Sequence, residues 1–509
     1  MNPTTPDLEP LSGLDGAFIS LETSATPMHV GSLNVFELPS GYAGDWLADV
    51  TAWLAQRLPP VLRRRLVTLP LQLAYPVWQM GEIDLRQHVQ RAHVPAPGGQ
   101  AQLEDLVAQL HAQPLERSRP LWQVTVLDGL ASGQKALYFK IHHAMLDGQA
   151  AAALAASLFD TTPTDWPAAP ATSPAPPEPS GWSAAPATPP QAVRRPDVFS
   201  LLKTALAHDA SQVVRLTRGL PSALGTLRSV VRGVASGELN PRAGVQTPGP
   251  ANAAHGPHSA TRWAPRTALN GTITPERGFA TLCLPLAEVK TIARACRVSA
   301  NDVVLTACGG ALNRYLGRLG PLRETSLVAL MALSLRQRGN TAFHNQATLS
   351  LVSLASHIAN PLQRLQAVHG HTRATKMLAQ QAKSLMPTDF PSLGQPWLMG
   401  ALAALVARAG AVKRLPPLAN VLISSVTGPP KPLYLGRARM TGYWPISIVE
   451  HGVGLNMTLV RYTDQLFVGL TVASSAVPDV RLLADDLAQA YSALKTAALP
   501  GCATATTQD

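Results

Sequence analysis

The feature that most constrains this chain is a proline-rich stretch, Thr161–Pro190, which interrupts a sequence of 509 residues about a third of the way along. It contains ten prolines among Ala, Ser and Thr. Proline lacks the backbone N–H that helix and sheet ladders need, so this stretch predicts an extended linker. The predicted division is an N-terminal lobe (1–160), a linker with a helical connection (161–261), a C-terminal lobe (262–500) and a disordered tail (501–509).

Composition limits the partners of the chain. Lys and Arg number 42 against 31 Asp and Glu, which gives a net charge of +11, although only 14% of residues are charged. With 5% aromatic residues and no basic run interleaved with them, we expect no nucleic-acid partner. Anionic lipid or an anionic cofactor fits better. The basic segment Val198–Glu238 predicts a helix that either packs on the protein or binds a membrane surface.

Cysteine usage and apolar runs indicate the compartment. None of the four cysteines belongs to a CxxC pair, which fits a reducing cytosol. Residues 1–10 lack the basic and apolar regions of an export signal. The longest apolar run, Pro396–Ala407, is shorter than the roughly 20 residues that span a bilayer. We therefore expect a cytoplasmic protein that is either soluble or peripheral on a membrane surface.

Strand and helix patterns occur together in both lobes, which predicts a mixed α/β fold. The predicted strands are Leu121–Leu127, Ala136–Ile141, Phe279–Leu284, Leu327–Leu335, Ala347–Leu354, Val421–Ser425, Leu455–Tyr462 and Gln465–Val472. The predicted helices are Gln149–Phe159, Leu286–Cys296, Asn301–Leu316, Pro361–Ala382 and Val480–Ala498. The first two strands should form a hairpin.

The segment Ile141–Gly148 contains the strongest chemical signal, at the junction of an apolar strand and a small-residue helix. Neighbouring strand side chains point to opposite faces, so His142 and His143 cannot both face one cleft if the strand continues. One is a candidate base and the other is structural. Asp147 precedes the helix, where exposed N–H groups favour a carboxylate. Gly148 permits a backbone conformation that a Cβ disfavours.

The pattern His142-His143-x-x-x-Asp147-Gly148 resembles the HHxxxDG motif of the acyl-CoA-dependent acyltransferase superfamily. More narrowly, the chain resembles the bacterial wax ester synthase/diacylglycerol acyltransferase family over nearly its whole length. The further matching segments, in chain order, are Pro27-Met28-His29-Val30-Gly31, Pro120-Leu121-Trp122, Asn270-Gly271, Asn301-Asp302-Val303-Val304-Leu305, Asn345-Gln346 and Gly428-Pro429. Two segments depart from the family: Ser425-Val426-Thr427 precedes the Gly-Pro turn where the family has Asn-Val-Pro, and His344 replaces a Gly.

The resemblance implies two chloramphenicol-acetyltransferase-like lobes with a catalytic tunnel between them. It implies that His143 is the general base for transfer of a long-chain acyl group from acyl-CoA to a fatty alcohol or diacylglycerol. Acyl-CoA is then a substrate, and no cofactor is expected. A neutral imidazole, with an ordinary pKa near ~6.5, can accept the hydroxyl proton as the oxygen attacks the thioester. Peripheral association with the inner membrane face or with lipid inclusions would suit such substrates.

Other residues receive expectations of their own. The resemblance makes Asp147 structural, and we expect it to pair with Arg336. Asn270 and Ser425 are the candidate oxyanion donors, and Gly428 marks the turn after them. The remaining expectations concern packing: Trp122 beside the catalytic strand, Asn301 and Asp302 at a helix cap after Ser299, and Pro27–Gly31 as a turn and strand start in which His29 could line the channel.

Three other interpretations stay open from the sequence. A zinc site would use His142, His143 and Asp147, but adjacent strand histidines diverge and the spacing matches no usual zinc pattern. A second possibility is an acyltransferase of the same superfamily with another alcohol acceptor. The third is a catalytically silent protein of lipid-body surfaces, against which the intact histidine motif argues.

Overall fold

The computed structural model describes residues 8–68, 76–146, 148–166, 264–320, 324–334, 347–382 and 416–499. Several features predicted from the sequence lie outside these ranges: most of the proline-rich linker, the helix Val198–Glu238, the segment 241–261, the apolar run Pro396–Ala407, the tail 501–509, Asp147, Arg336, and His344 with Asn345 and Gln346.

A six-stranded mixed sheet organises the N-terminal half. Its strands, in order across the sheet, are β12 (Tyr434–Leu435), β13 (Ala438–Ile446), β2 (His29–Glu37), β7 (Lys135–His142), β6 (Trp122–Asp128) and β5 (Val89–His93). β6 and β7 pair antiparallel, which confirms the predicted hairpin. β5 is parallel to β6 and the remaining pairs are antiparallel.

Helices cover this sheet, and a small three-stranded sheet lies beside it. The small sheet consists of β1 (Leu8–Pro10), β4 (Val77–Met80) and β3 (Arg64–Val67). The helices are α1 (Gly13–Leu21), α2 (Trp46–Arg57), the short α3 (Leu85–His88), α4 (Gln100–Ala112) and α5 (Gly148–Leu158). Side-chain oxygens of Ser12, Asp45 and Asp84 accept backbone N–H bonds at the first turns of α1, α2 and α3.

A second six-stranded sheet organises the C-terminal half. Its order is β10 (Ala347–Ser353), β9 (Val328–Ser334), β11 (Val421–Thr427), β14 (Leu455–Tyr462), β15 (Gln465–Ala473) and β8 (Arg277–Pro285). Its helices are α6 (Leu286–Ala295), α7 (Ala300–Leu319), α8 (Pro361–Ala382) and α9 (Val480–Ala498). Ser299 caps α7 as predicted, since its hydroxyl accepts the Asp302 N–H. The mixed α/β class is therefore confirmed.

Strands β12 and β13 depart from the division that the sequence suggests. Although they follow residue 262, they extend the N-terminal sheet, because β13 pairs antiparallel with β2 along Gly31–Glu37. An edge strand presents unpaired N–H and C=O groups that another strand can satisfy, whatever its distance along the chain. The predicted boundary at 262 thus does not separate the two sheets. Whether the chain folds as two units that meet at residue 262 is not tested, so the division into domains stays a prediction.

The two halves contact each other through β13 and α4. Gly469 of β15 lies so close to the Pro445 carbonyl of β13 that a Cβ would collide with it. Glu104 of α4 accepts hydrogen bonds from the Thr281 backbone N (2.9 Å) and hydroxyl (2.6 Å) on β8, the edge strand of the second sheet. Helix α4 is therefore anchored to the C-terminal half. Among the described residues, no helix is long and apolar enough to cross a membrane.

Candidate active site

His143 occupies the first position after β7, where the chain turns away from the sheet. Its backbone N–H donates to the Met28 carbonyl, 2.8 Å away, which ties the turn to the segment before β2. Its ring stacks on Phe18 of α1, with centroids 4.2 Å apart and planes 18° apart. The residue is partly exposed. A strand end and a helix thus hold this imidazole in one orientation while part of it stays accessible.

His142 is the last residue of β7 and is fully buried. The Ala144 N–H donates to its Nδ1 at 3.1 Å, so the proton of the neutral ring is on Nε2. That nitrogen lies 3.4 Å from Oε1 of Glu22. The two histidines therefore occupy different environments, as expected from the sequence. The strand ends at His142, so the turn separates the rings.

Glu22, directly after α1, is a buried carboxylate that supports this turn. One oxygen accepts the Met28 N–H at 3.0 Å, and the other accepts two bonds from Arg117 at 3.1 and 2.8 Å. Burial acts to raise the pKa of Glu22, but the nearby His142 imidazole and these donors outweigh it and lower the pKa to about 2. Glu22 is thus a fixed negative charge beside the buried histidine.

Three of these neighbours were not predicted from the sequence: Phe18, Glu22 and Arg117. Glu22 is 95 positions from Arg117 and farther still from His142, so no local spacing connects them. The only signal is a glutamate that follows the short apolar stretch Gly13–Leu21, a position where a helix end would turn toward the core.

Of the two other residues in the histidine motif, the structure describes Gly148 but not Asp147. Gly148 is the first residue of α5, so the predicted strand-to-helix junction is confirmed. Asp147 and Arg336 lie outside the described residues, so their pairing stays a prediction.

Trp122 is structural, in agreement with the expectation from the sequence. It is buried, its indole N–H donates to the Leu62 carbonyl at 2.7 Å, and its ring stacks on His88 with centroids 4.4 Å apart. It belongs to the apolar core of the N-terminal half. A tryptophan packed and bonded in this way stabilises the sheet and has no surface left for substrate.

Asn270 does not suit the oxyanion role expected from the sequence. Its side-chain NH₂ donates to the carbonyls of Ala419 (2.7 Å) and Gly452 (2.8 Å), which uses both N–H groups. Its Oδ1 accepts from Thr267 and from the amide of Asn420. The amide joins three loops of the C-terminal half. The assignment as an oxyanion donor was therefore wrong for this side chain, because a buried amide must satisfy its own bonds.

Asp302 is part of a buried cap at the start of α7. Its carboxylate accepts the Ser299 N–H at 2.9 Å and the Thr372 hydroxyl at 2.7 Å, and it lies 2.9 Å from Nδ1 of His369. Burial acts to raise its pKa, but these bonds outweigh burial and lower the pKa. The predicted capping role is confirmed. Asn301 lies beside it in the first turn and is partly buried.

Ser425 lies on β11, paired with Leu459 of β14. It is solvent-exposed, unlike Ile423 two residues earlier on the same face, which is in the core. This end of the strand therefore opens toward solvent. Ser425 stays a candidate oxyanion donor.

Both halves of the chain match known acyltransferase domains. Residues 11–304 match the wax ester synthase/diacylglycerol acyltransferase catalytic domain, and residues 344–495 match the C-terminal domain of the same family. The chain belongs to the wax ester synthase/diacylglycerol acyltransferase family. It is an acyltransferase, as predicted from the HHxxxDG motif.

Named relatives and solved structures agree with this membership. A Mycobacterium tuberculosis protein named as a diacylglycerol O-acyltransferase is 32% identical over 96% of this chain and 99% of its own length. The wax ester synthase/diacylglycerol acyltransferase of Marinobacter aquaeolei VT8 is 26% identical, with a TM-score of 0.64 over 96% of this chain and 99% of that chain. The first condensation domain of the calcium-dependent antibiotic synthetase shares the fold at 12% identity, with a TM-score of 0.51 over 96% and 97% of the two chains.

Gly428 of this acyltransferase is required by close backbone packing. A Cβ at this position would collide with the Arg461 carbonyl oxygen and press against Val460, both on β14. The start of the turn after β11 therefore lies beside β14 at a distance that only glycine allows. Of the three residues before the Gly-Pro step, Ser425 and Thr427 differ from the family pattern, whereas Gly428 itself matches it.

We predict that Gly428→Ala lowers the free energy of unfolding by about 1–3 kcal/mol, because neither backbone can move without breaking the β11–β14 ladder. Urea denaturation followed by circular dichroism measures this change. The control is Gly370→Ala within α8, where a Cβ meets nothing within 4 Å. That variant should gain about 0.5–1 kcal/mol from helix propensity. Equal stability of the two variants would contradict the packing argument.

Proposed function

We propose that this acyltransferase moves a long-chain acyl group from acyl-CoA to a fatty alcohol or to diacylglycerol, with His143 as the general base. The observation that carries the proposal is the difference between the two histidines: His143 is partly exposed and stacked on Phe18, whereas His142 is fully buried. Names of relatives support the substrate class, since they refer to wax ester synthase and diacylglycerol O-acyltransferase.

The proposed reaction is a direct transfer. His143 accepts the proton of the alcohol while its oxygen bonds to the thioester carbonyl carbon, and a tetrahedral oxyanion forms. The C–S bond then breaks, the carbonyl returns, and the protonated imidazole gives its proton to the CoA thiolate. The products are one ester and one CoA thiol. The thioester is already activated, so the route needs no acyl-enzyme, but both substrates must be bound together.

The remaining parts of the site stay predictions. A tunnel between the lobes would admit the thioester and the alcohol at the same time, and Ser425 is the candidate to donate to the oxyanion. Peripheral association with lipid also stays a prediction, because the basic segment Val198–Glu238 lies outside the described residues.

The decisive experiment incubates the purified full chain with palmitoyl-CoA and either hexadecanol or dioleoylglycerol. We expect free thiol and ester to appear in equal amounts, and only when an acceptor is present. Palmitoyl-CoA without acceptor is the control for hydrolysis. Thiol release without ester would indicate a thioesterase. Suppose that neither hexadecanol nor dioleoylglycerol gives thiol release, but a shorter or cyclic alcohol does. The acceptor class proposed here is then wrong.

A further inference from the structure

Lys140 is a buried cation two residues before His142, on the same face of β7. It is 2% exposed, and its ammonium donates to the carbonyls of Leu110 and Gln113, both at 2.9 Å. These carbonyls belong to the last turn of α4 and to the residue after it. Burial lowers the pKa of Lys140 to about 8, so the side chain is charged at neutral pH and its bonds are charge-assisted.

His29, on the neighbouring strand β2, makes a similar contact with the end of α4. In the β2–β7 register it lies directly opposite His142, and its Nε2 is 2.5 Å from the His111 carbonyl of α4. Burial, with the charge of Lys140 adding to it, keeps the pKa of His29 well below its ordinary value, so the neutral ring donates through Nε2. His29 is completely buried, so its side chain reaches no solvent-filled space in this structure.

The end of α4 is therefore held by two donors from the strands that carry the histidine turn. The last carbonyls of a helix have no partner within the helix and carry its negative dipole end, so an ammonium and an imidazole N–H are favourable there. His111 extends the contact, since its Nδ1 lies 2.7 Å from the Tyr138 hydroxyl and its Nε2 lies 3.2 Å from the Ser447 carbonyl after β13.

At its other end, α4 is fixed to the C-terminal half. Glu104 binds Thr281 on β8, and Arg481 of α9 donates to the Ala101 carbonyl at 2.7 Å and to Asp105 at 2.6 Å. A continuous set of hydrogen bonds thus runs from the second sheet through α4 to the strand that ends at His142.

We propose that Lys140 and His29 are positioning residues, which set the His142–His143 turn against the C-terminal half by binding the carbonyl end of α4. The inference rests on the proposed role of His143 as base. A base misplaced by about 1 Å can cost up to about 10²-fold in rate, whereas substrate binding elsewhere is unaffected. The expected effect is therefore on kcat and not on KM.

The test replaces Lys140 by methionine, which keeps the length of the chain but removes the donors. We expect Lys140→Met to lower kcat about 10- to 100-fold, with KM for palmitoyl-CoA changed less than about threefold. Lys140→Arg should recover part of kcat, because it retains a cation that can donate to the same carbonyls. The matched control is Lys135→Met at the other end of β7, where the ammonium binds Asp128 of the adjacent strand β6 and is partly exposed; its kcat should equal that of the wild type.

Assays are run well below the melting temperature of each variant, and circular dichroism confirms that each is folded. If Lys140→Met has a lower melting temperature than the wild type but keeps wild-type kcat, Lys140 only stabilises the fold and the proposal is wrong. If it fails to fold, His29→Phe decides, since it keeps a buried ring but removes the N–H donor to the His111 carbonyl: wild-type KM with reduced kcat supports positioning, and wild-type values for both contradict it. The proposed base is tested separately by His143→Ala, so its failure is distinguishable from failure of the positioning role.

Discussion

Alanine in place of His143 is expected to lower kcat for acyl transfer by about 10²–10⁴-fold, the usual contribution of a general base. The alcohol would then have to lose its proton to water. Stability should change little, because the ring is partly exposed and the stack on Phe18 that it loses is a contact of about 0.5–1.5 kcal/mol. Initial rates of thiol release and thermal denaturation measure the two quantities.

Two other histidines serve as comparisons. His142→Ala removes a fully buried ring and its bond with Ala144, so it should lower stability as well as rate. His93→Ala, at the exposed end of β5 in the same sheet, should change neither. Turnover of the His143 variant within about threefold of the wild type would show that another group takes the proton.

Local patterns were sufficient for much of the fold. The bounds of β14, α8 and α9 agree with the predicted Leu455–Tyr462, Pro361–Ala382 and Val480–Ala498. These elements have regular apolar spacing. Ser299 is a residue type that commonly caps helices, so it indicated where α7 begins. Helix α4 was not predicted, although Leu103 and Val107, both buried, show a helical spacing. Its importance comes from contacts at both ends, which a local pattern does not reveal.

Long-range partners could not be predicted. Strand β13 was not predicted, since Gly442 and Pro445 interrupt its pattern, and nothing in its sequence indicates that it joins β2, some 400 residues earlier. Asn270 looks like a donor in a motif, and only the structure shows that the carbonyls of Ala419 and Gly452 use both its N–H groups. The motif located the histidines, whereas the side chains that support them come from distant segments such as Glu22 after α1.

The second large effect is expected at Glu22. Glutamine has the shape of a protonated glutamate, so Glu22→Gln reproduces the uncharged state at any pH. The pKa of Glu22 is lowered from 4.5 to about 2 in the folded protein. A difference of this size corresponds to about 3 kcal/mol, at about 1.4 kcal/mol per pKa unit. At pH 7 the variant should therefore be less stable than the wild type by about that amount.

The sign of the pH dependence follows from the direction of the shift. A carboxylate whose folded pKa is depressed stabilises the fold fully above its unfolded pKa of 4.5, and this contribution disappears as pH falls toward about 2. The stability difference between the wild type and Glu22→Gln should thus be constant from pH 8 to 6 and should shrink by about 2 kcal/mol on reaching pH 3. Urea denaturation at each pH measures it.

The matched control is Glu116→Gln, which removes a charge of the same kind near Arg117, at a side chain that is 56% exposed and pairs with Arg119. Exposed ion pairs contribute about 0–1 kcal/mol, so this variant should show a small difference at every pH. If the difference in unfolding free energy between the wild type and Glu22→Gln stays the same down to pH 3, the shape of the Glu22 side chain, and not its charge, stabilises the fold. A deficit that shrinks as described would show that the turn bearing His142 is held by a buried negative charge, because only the ionised state of the wild type is lost over that range.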